Sequence, residues 1–207
     1  MDSPINSSFT SLAYALILFR EAGYPCVFYG DMFGISEPFA SPPTCDGKLA
    51  DLVLARNLYA YGEQQDYFQE ANCIGWVRRG RSESHGPQAA GMAVVMSWAQ
   101  KGAGPHQDHS PTIRPSWMRR WSSLSEGFSK LRGGSLQYQK RMNVGAQHAG
   151  EVWTDVLGVS LERITIAHGG YGVFPCHKNS VAVYVPESAG GRERFPVGFE
   201  ANLDRCS

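Results

Sequence analysis

The sequence predicts an α+β fold in which a helix, a strand and a second helix precede an all-β antiparallel sandwich. Apolar residues recur with helical spacing between residues 8 and 22 and again between 48 and 61. The segment 25–29, which lies between these helices, is short and apolar, as expected for the strand of a β/α unit. From Asp66 onward the period of the apolar residues changes to two, and turn residues separate the segments.

The first predicted helix begins at Ser8 or Thr10, continues to about Ala22 and is stopped by Gly23. One face of this helix carries Leu12, Ala15, Leu16 and Phe19. Its apolar stretch is nine residues long, which is too short to span a bilayer. It also has no basic flank before it and no small-residue cleavage site after it, so we expect a core helix rather than a signal peptide.

The strand predicted at residues 25–29 has the apolar character of a strand buried on both faces in a parallel sheet. A loop rich in Pro, Ser and Gly follows, and the second helix is predicted at about residues 48–61. This amphipathic helix stops at Gly62 and leads directly into β-type sequence.

Seven strands are predicted in the second half of the chain, at residues 74–79, 92–97, 141–144, 151–155, 163–166, 172–174 and 180–185. In the last of these, Val181, Val183 and Val185 alternate with other residues and therefore share one face. The pattern is typical of a small antiparallel β-sandwich or Greek-key domain.

Residues 100–139 interrupt this rhythm. They hold six Lys or Arg and two Asp or Glu, a charge of +4 (6 − 2), and 15 of the 40 positions are Ser, Gly or Pro. We expect a disordered or weakly helical insertion, because structureless loops of this length are unusual inside compact domains. Without it, strands 92–97 and 141–144 would form a hairpin. The alternative is a basic patch that binds RNA or a protein partner through Trp117, Arg119, Arg120 and Trp121.

The overall composition argues against nucleic-acid and membrane binding, because 19 basic and 19 acidic residues cancel. The five cysteines are scattered and contain no CxxC pair. This usage is typical of reduced thiols, so we expect a cytoplasmic protein without a disulfide framework or a zinc site.

Four segments carry a resemblance to a known family: YPCVFYGDMFG, LARNLYAYGEQQDYF, IGWVRRG and HAGEVWTDVLG…ITIAHGGYGVFPCHKNSVAVYVP. Over residues 11–100 and 140–195 the chain resembles the carboxyl-terminal portion of α-amylases of glycoside hydrolase family 13, of the cytosolic fungal and liquefying bacterial type. The resemblance implies that residues 1–64 are the remnant of a (β/α)₈ barrel, with its eighth strand at 25–29 and its last helix at 48–61. It also implies that residues 65–187 are the β-sandwich called domain C, followed by a tail at 188–207.

The resemblance implies hydrolysis of α-1,4-glucans such as starch or glycogen with retention of configuration. The family places its nucleophile, its acid and a third carboxylate on the fourth, fifth and seventh barrel strands, which precede the matched portion. Retention needs two carboxyl groups about 5 Å apart. We therefore expect this chain to be inactive by itself. The alternatives are a module that binds α-glucan without cleaving it and an interaction protein that docks the rest of a barrel.

Candidate substrate-binding residues lie where the predicted barrel strand ends. Tyr29, Gly30 and Asp31 occupy the side on which barrels place active-site groups, and in the family this corner borders the sugar cleft. Asp31 could equally cap a turn or a helix. Tyr171, beside glycines in a predicted turn, is a candidate for stacking on a sugar ring.

The resemblance also implies a metal position. Asp66 matches a place where bacterial relatives bind calcium between barrel and sandwich. The neighbouring ligand histidine of the family is Gln65 here, and the carboxylate expected near Gly80 is replaced by Arg81 and Ser82. Because calcium requires six to eight oxygen ligands, we expect this chain not to bind it, with Asp66 a solvated or capping residue.

Overall fold

A computed structural model describes residue 5 and residues 7–38, 40–81, 86–98 and 137–195. The helices in these ranges are α1 (Ser7–Phe19), α2 (Tyr29–Phe33) and α3 (Leu49–Tyr59). The strands are β1 (Gln64–Glu70), β2 (Cys73–Arg78), β3 (Met92–Ser97), β4 (Gln137–Asn143), β5 (Val152–Asp155), β6 (Ile164–Thr165), β7 (Tyr171–His177) and β8 (Val181–Pro186). No helix among these residues is both long and apolar enough to cross a membrane.

The strands form two antiparallel sheets. The larger has six strands in the order β1-β2-β3-β8-β5-β6, and the smaller contains β4 and β7. The predicted antiparallel β domain is therefore present, and mixed α/β architecture with mostly antiparallel sheets describes the chain. The predicted hairpin is wrong, because β3 pairs with β2 and β8 while β4 pairs with β7.

Both faces of the six-stranded sheet are buried. Because successive side chains of a strand point to opposite faces, they alternate between two hydrophobic cores. On β8, Val181, Val183 and Val185 belong to the core shared with α1 and α3, which confirms the predicted common face. Ala182 and Tyr184 belong to the core shared with the two-stranded sheet. The result is three layers: helices, six strands and two strands.

The first core is built from the apolar faces of α1 and α3 against the six-stranded sheet. Its largest fully buried side chains are Leu12, Phe19, Leu49, Leu52, Tyr59, Trp76 and Met92. Helix α1 ends at Phe19, earlier than predicted, because side chains cap its last carbonyls. Arg56 donates to the Leu18 carbonyl, while Trp76 and Arg78 both donate to the Phe19 carbonyl.

The turn from α3 to β1 depends on Gly62. Its φ is +78°, and a Cβ placed there would lie 1.9 Å from the Gly80 carbonyl oxygen. Only glycine allows two backbones to approach this closely. This turn ends the helical part of the chain and begins the sandwich.

The predicted barrel strand at residues 25–29 is wrong in this structure. Residues 24–28 pair with no strand, and Tyr29 begins helix α2. A parallel strand gains its hydrogen bonds from neighbours on both sides, and no described segment lies beside this one as a strand.

The segment that the sequence assigned to an insertion lies largely outside the described residues, as do Trp117, Arg119, Arg120 and Trp121. Its last part is described, because β4 begins at Gln137. The end predicted for the insertion, residue 139, is therefore wrong. Most of the predicted tail, beyond residue 195, is also outside the described residues.

Candidate functional site

The predicted corner around Tyr29 is an exposed apolar surface. Phe28, Tyr29 and Phe33 are 59, 72 and 66 % exposed, and Ile35 is 43 % exposed. The rings of Tyr29 and Phe33 lie 4.8 Å apart at an angle of 42°. We call these four residues the aromatic surface.

Gly30 lies beneath this surface rather than on it. It is buried, and a Cβ at this position would lie 2.7 Å from both the Phe28 ring and the Ile35 side chain. Glycine at this position therefore lets Phe28 and Ile35 close over the first turn of α2. Its predicted contact with substrate stays a prediction.

Asp31 faces inward, toward helix α1. Its carboxylate accepts a hydrogen bond from the Tyr14 hydroxyl, and that hydroxyl also accepts one from the Phe28 backbone N–H. Burial, and then the bond to Asp31, raise the pKa of Tyr14 to about 12. The Asp31 carbonyl accepts from the Thr44 backbone N–H and hydroxyl. The residue thus joins α2 to α1 and to the following loop, in the structural role that the sequence left open.

Tyr171 begins β7 and is 38 % exposed. The guanidinium of Arg141, on the paired strand β4, lies 4.1 Å from the centre of the Tyr171 ring. This is a cation–π contact that orients the ring and occupies one of its faces. Val173, two residues along β7, is also exposed, so the outer side of the two-stranded sheet combines an arginine with aromatic and aliphatic side chains.

Asp66, on β1, is engaged by nitrogen donors. Arg20 donates to both carboxylate oxygens, at 2.7 and 3.0 Å, and the Gln64 amide donates to one of them at 2.8 Å. A calcium ion requires oxygen ligands, and these neighbours present N–H groups instead. The residues around Asp66 therefore do not fit calcium. Within the described ranges, no group of three His, Cys, Asp or Glu side chains is placed to hold a metal ion.

Three further carboxylates have cationic or histidine partners. Glu70 pairs with Lys140, Glu151 with His148 and Glu187 with Arg163. Each pairing joins two different secondary-structure segments or the ends of a turn, which is typical of structural ion pairs. These contacts pair the three carboxylates with neighbouring side chains, and the Lys140 side chain that meets Glu70 is buried.

The comparisons with known proteins agree with the sequence motifs. An α-amylase of Geobacillus stearothermophilus is 37 % identical over 186 residues, which is 90 % of this chain and 26 % of that protein. An α-amylase of Bacillus licheniformis is 33 % identical over 89 % of this chain and 29 % of its own length. The chain is homologous to the α-amylases. No family model matches it.

A more distant α-amylase, the cytoplasmic enzyme of Escherichia coli strain K12, is 28 % identical over 90 % of this chain and 31 % of that protein. The chain thus spans 26–31 % of the length of these α-amylases. A share of this size is consistent with the carboxyl-terminal portion that the motifs implied. Among solved structures, an AmyP variant in complex with maltotriose aligns at 9 % identity and a TM-score of 0.46. The alignment covers 91 % of this chain and 37 % of the AmyP chain.

Sequence reasoning missed two residues of this α-amylase homologue. Asp155 is buried, and its carboxylate accepts four backbone N–H bonds, from Leu157, Val159, Ser160 and Val183, at 2.8–3.0 Å. Burial raises the pKa of Asp155, and the four donors oppose that rise. Asp155 therefore fixes the turn after β5 to β8. Arg20 was missed because its partner lies 46 residues away, although an arginine near the end of the predicted helix was visible.

Proposed function

We propose that this chain is the sandwich-bearing, carboxyl-terminal part of an α-amylase-type protein of starch or glycogen hydrolysis, and that the 207-residue chain does not cleave glucan by itself. The similarity to bacterial α-amylases, 37 and 33 % identical over about nine-tenths of the chain, carries the first half of this proposal. The expected lack of activity depends on the retaining mechanism, which needs a nucleophile and an acid about 5 Å apart.

The partners of the carboxylates support this assignment. Asp31 is bound by Tyr14, Asp66 by Arg20, and Asp155 by four backbone N–H groups. Each of these contacts joins two segments of the fold, which gives the three carboxylates structural roles in this chain.

Release of reducing sugar from soluble starch by the purified chain tests the proposal. We expect no release above a buffer control. Turnover that Asp31→Asn or Asp66→Asn abolishes, while Leu161→Ala retains it, would contradict the proposal. Leu161 is a suitable control because it is 81 % exposed and carries no ionisable group.

A second function, α-glucan binding without cleavage, is favoured by the aromatic surface. Tyr29 and Phe33 place two rings side by side in solvent, and sugar rings stack on exposed aromatic faces of this kind. We expect electrophoretic migration to be retarded in gels containing amylopectin. Tyr29→Ala with Phe33→Ala removes the retardation if the aromatic surface binds, and Tyr171→Ala removes it if the outer side of β7 binds. Leu161→Ala serves again as the control, and unretarded migration of the unmodified chain would exclude glucan binding.

The same exposed rings favour an interaction with a barrel segment supplied by another polypeptide. Apolar surface of this kind is more stable when it is covered by a partner. Co-expression with an α-amylase barrel segment that ends at the position corresponding to residue 7 of this chain would restore starch hydrolysis if the two parts associate. Co-purification without activity would instead show association without assembly of the catalytic site.

A further inference from the structure

The junction between α1 and β1 is held by a compact polar network. The guanidinium of Arg20, the residue directly after α1, donates to both carboxylate oxygens of Asp66 in a bidentate contact, at 2.7 and 3.0 Å. Glu21 and Gln64 add a reciprocal pair of bonds: the Glu21 backbone N–H donates to the Gln64 side chain at 2.7 Å, and the Gln64 backbone N–H donates to the Glu21 carboxylate at 3.0 Å. Gln64 also donates to Asp66. The network therefore links the end of the helix to the start of the sheet.

Aromatic rings fix the position of the Arg20 guanidinium. Its central carbon lies 5.0 Å from the Phe68 ring centre and 5.9 Å from the Trp76 ring centre. Trp76 is fully buried, is paired across the strands with Asp66, and donates to the last carbonyl of α1. The cation is thus held by a carboxylate on one side and by aromatic faces on another, and both contacts favour a delocalised guanidinium over an ammonium.

We propose that the Arg20 guanidinium occupies the place of a metal ion at this junction. Its contacts with Asp66 then hold α1 and β1 together without a metal ion. Both oxygens of Asp66 already accept from nitrogen, and a divalent ion at Asp66 would have to displace the guanidinium and rotate the Gln64 amide. It would also be repelled by the positive charge of Arg20. The structure therefore disagrees with the calcium role that the family resemblance gave to Asp66.

Thermal unfolding of the full chain in EDTA and in millimolar CaCl₂ tests this directly. We expect the two Tm values to agree within about 1 °C. Arg20→Ala is expected to lower Tm by about 3–6 °C, because it removes an ion pair with ideal geometry together with two ring contacts. Arg20→Lys is expected to recover less than half of that loss, since an ammonium cannot bind both oxygens in the same plane.

Arg163→Ala is the matched control. Arg163 pairs with Glu187 through a contact of 2.7 Å, but its side chain is 66 % exposed, compared with 28 % for Arg20. A surface pair of this kind contributes little, so we expect a Tm change of about 1 °C or less.

Two results would overturn the proposal: a Tm that falls by several degrees in EDTA and is restored by CaCl₂, or a loss in Arg20→Ala no larger than in Arg163→Ala. If Arg20→Ala does not fold, luminescence of Tb³⁺ excited through tryptophan in the unmodified chain decides the question. A saturable signal at micromolar Tb³⁺ would contradict the proposal, and a signal no larger than with free tryptophan would support it.

Discussion

The β-sandwich and the segment between α1 and α3 differ in how far their aromatic side chains are exposed to solvent. In the sandwich, Trp153, Phe174 and Tyr184 are fully buried and contact one another in sequence, with ring centres 5.2–6.2 Å apart. Between α1 and α3, Phe28, Tyr29 and Phe33 remain mostly exposed. These three rings of the sandwich are covered by other residues of this chain. The aromatic surface has no such cover among the described residues, and this difference underlies the proposed need for further barrel structure.

The largest expected effect compares two phenylalanines. Phe174→Ala should lower the free energy of unfolding by about 3–5 kcal/mol, because it leaves a cavity between the two sheets. Phe33→Ala should change it by less than about 0.5 kcal/mol, because that ring is in solvent. Urea denaturation followed by circular dichroism measures both variants. Equal losses would show that the aromatic surface is covered in solution, for example by self-association.

The second comparison concerns two aspartates. Asp155→Ala leaves four backbone N–H groups without an acceptor in the interior and should cost about 3 kcal/mol of stability. Asp31→Ala removes one hydrogen bond to Tyr14 and should cost about 1 kcal/mol. The same denaturation assay ranks the two variants. A larger loss in Asp31→Ala would mean that the α1–α2 contact, rather than the β5–β8 turn, limits the stability of the chain.

Thiol reactivity gives a smaller but residue-specific contrast. Cys26 is exposed, whereas Cys73 and Cys176 are buried in the sandwich. Burial raises the pKa of Cys73 to about 12 and also raises that of Cys176, so neither forms a thiolate at neutral pH. Iodoacetamide at pH 8 should modify Cys26 within minutes and leave the other two intact, as peptide mass spectrometry would show. Modification of Cys73 at the rate of Cys26 would indicate that the sandwich opens readily.

The sequence predicted those elements whose signal is local. Strand β3 has the predicted bounds, and α3 and β8 differ from prediction by one or two residues, because their apolar spacing is regular. Strand β1 was missed as a separate strand since its sequence, QQDYFQE, is polar and mostly exposed. The segment 25–29 was predicted as a strand from its apolar residues, but a strand forms only beside another strand.

The sequence also did not predict which strands pair with each other or which charged side chains form ion pairs. Strands β3 and β4 follow one another along the chain, yet they belong to different sheets. Arg20 and Asp66, and Lys140 and Glu70, are far apart in sequence and meet only through the fold. The candidate residues Tyr29 and Asp31 were found from their place after a predicted strand, whereas their exposure and their contacts required the structure.

Hydrogen–deuterium exchange of the isolated chain, followed residue by residue, tests the contrast between the two regions most directly. Amides of β2, β3 and β8 should be protected for hours, because these strands are paired on both sides and covered on both faces. Amides of Tyr24, Cys26 and Val27, which pair with no strand, should exchange within seconds. Comparable protection of the two regions would contradict the account, because it would show that the segment before α2 is already covered in this chain.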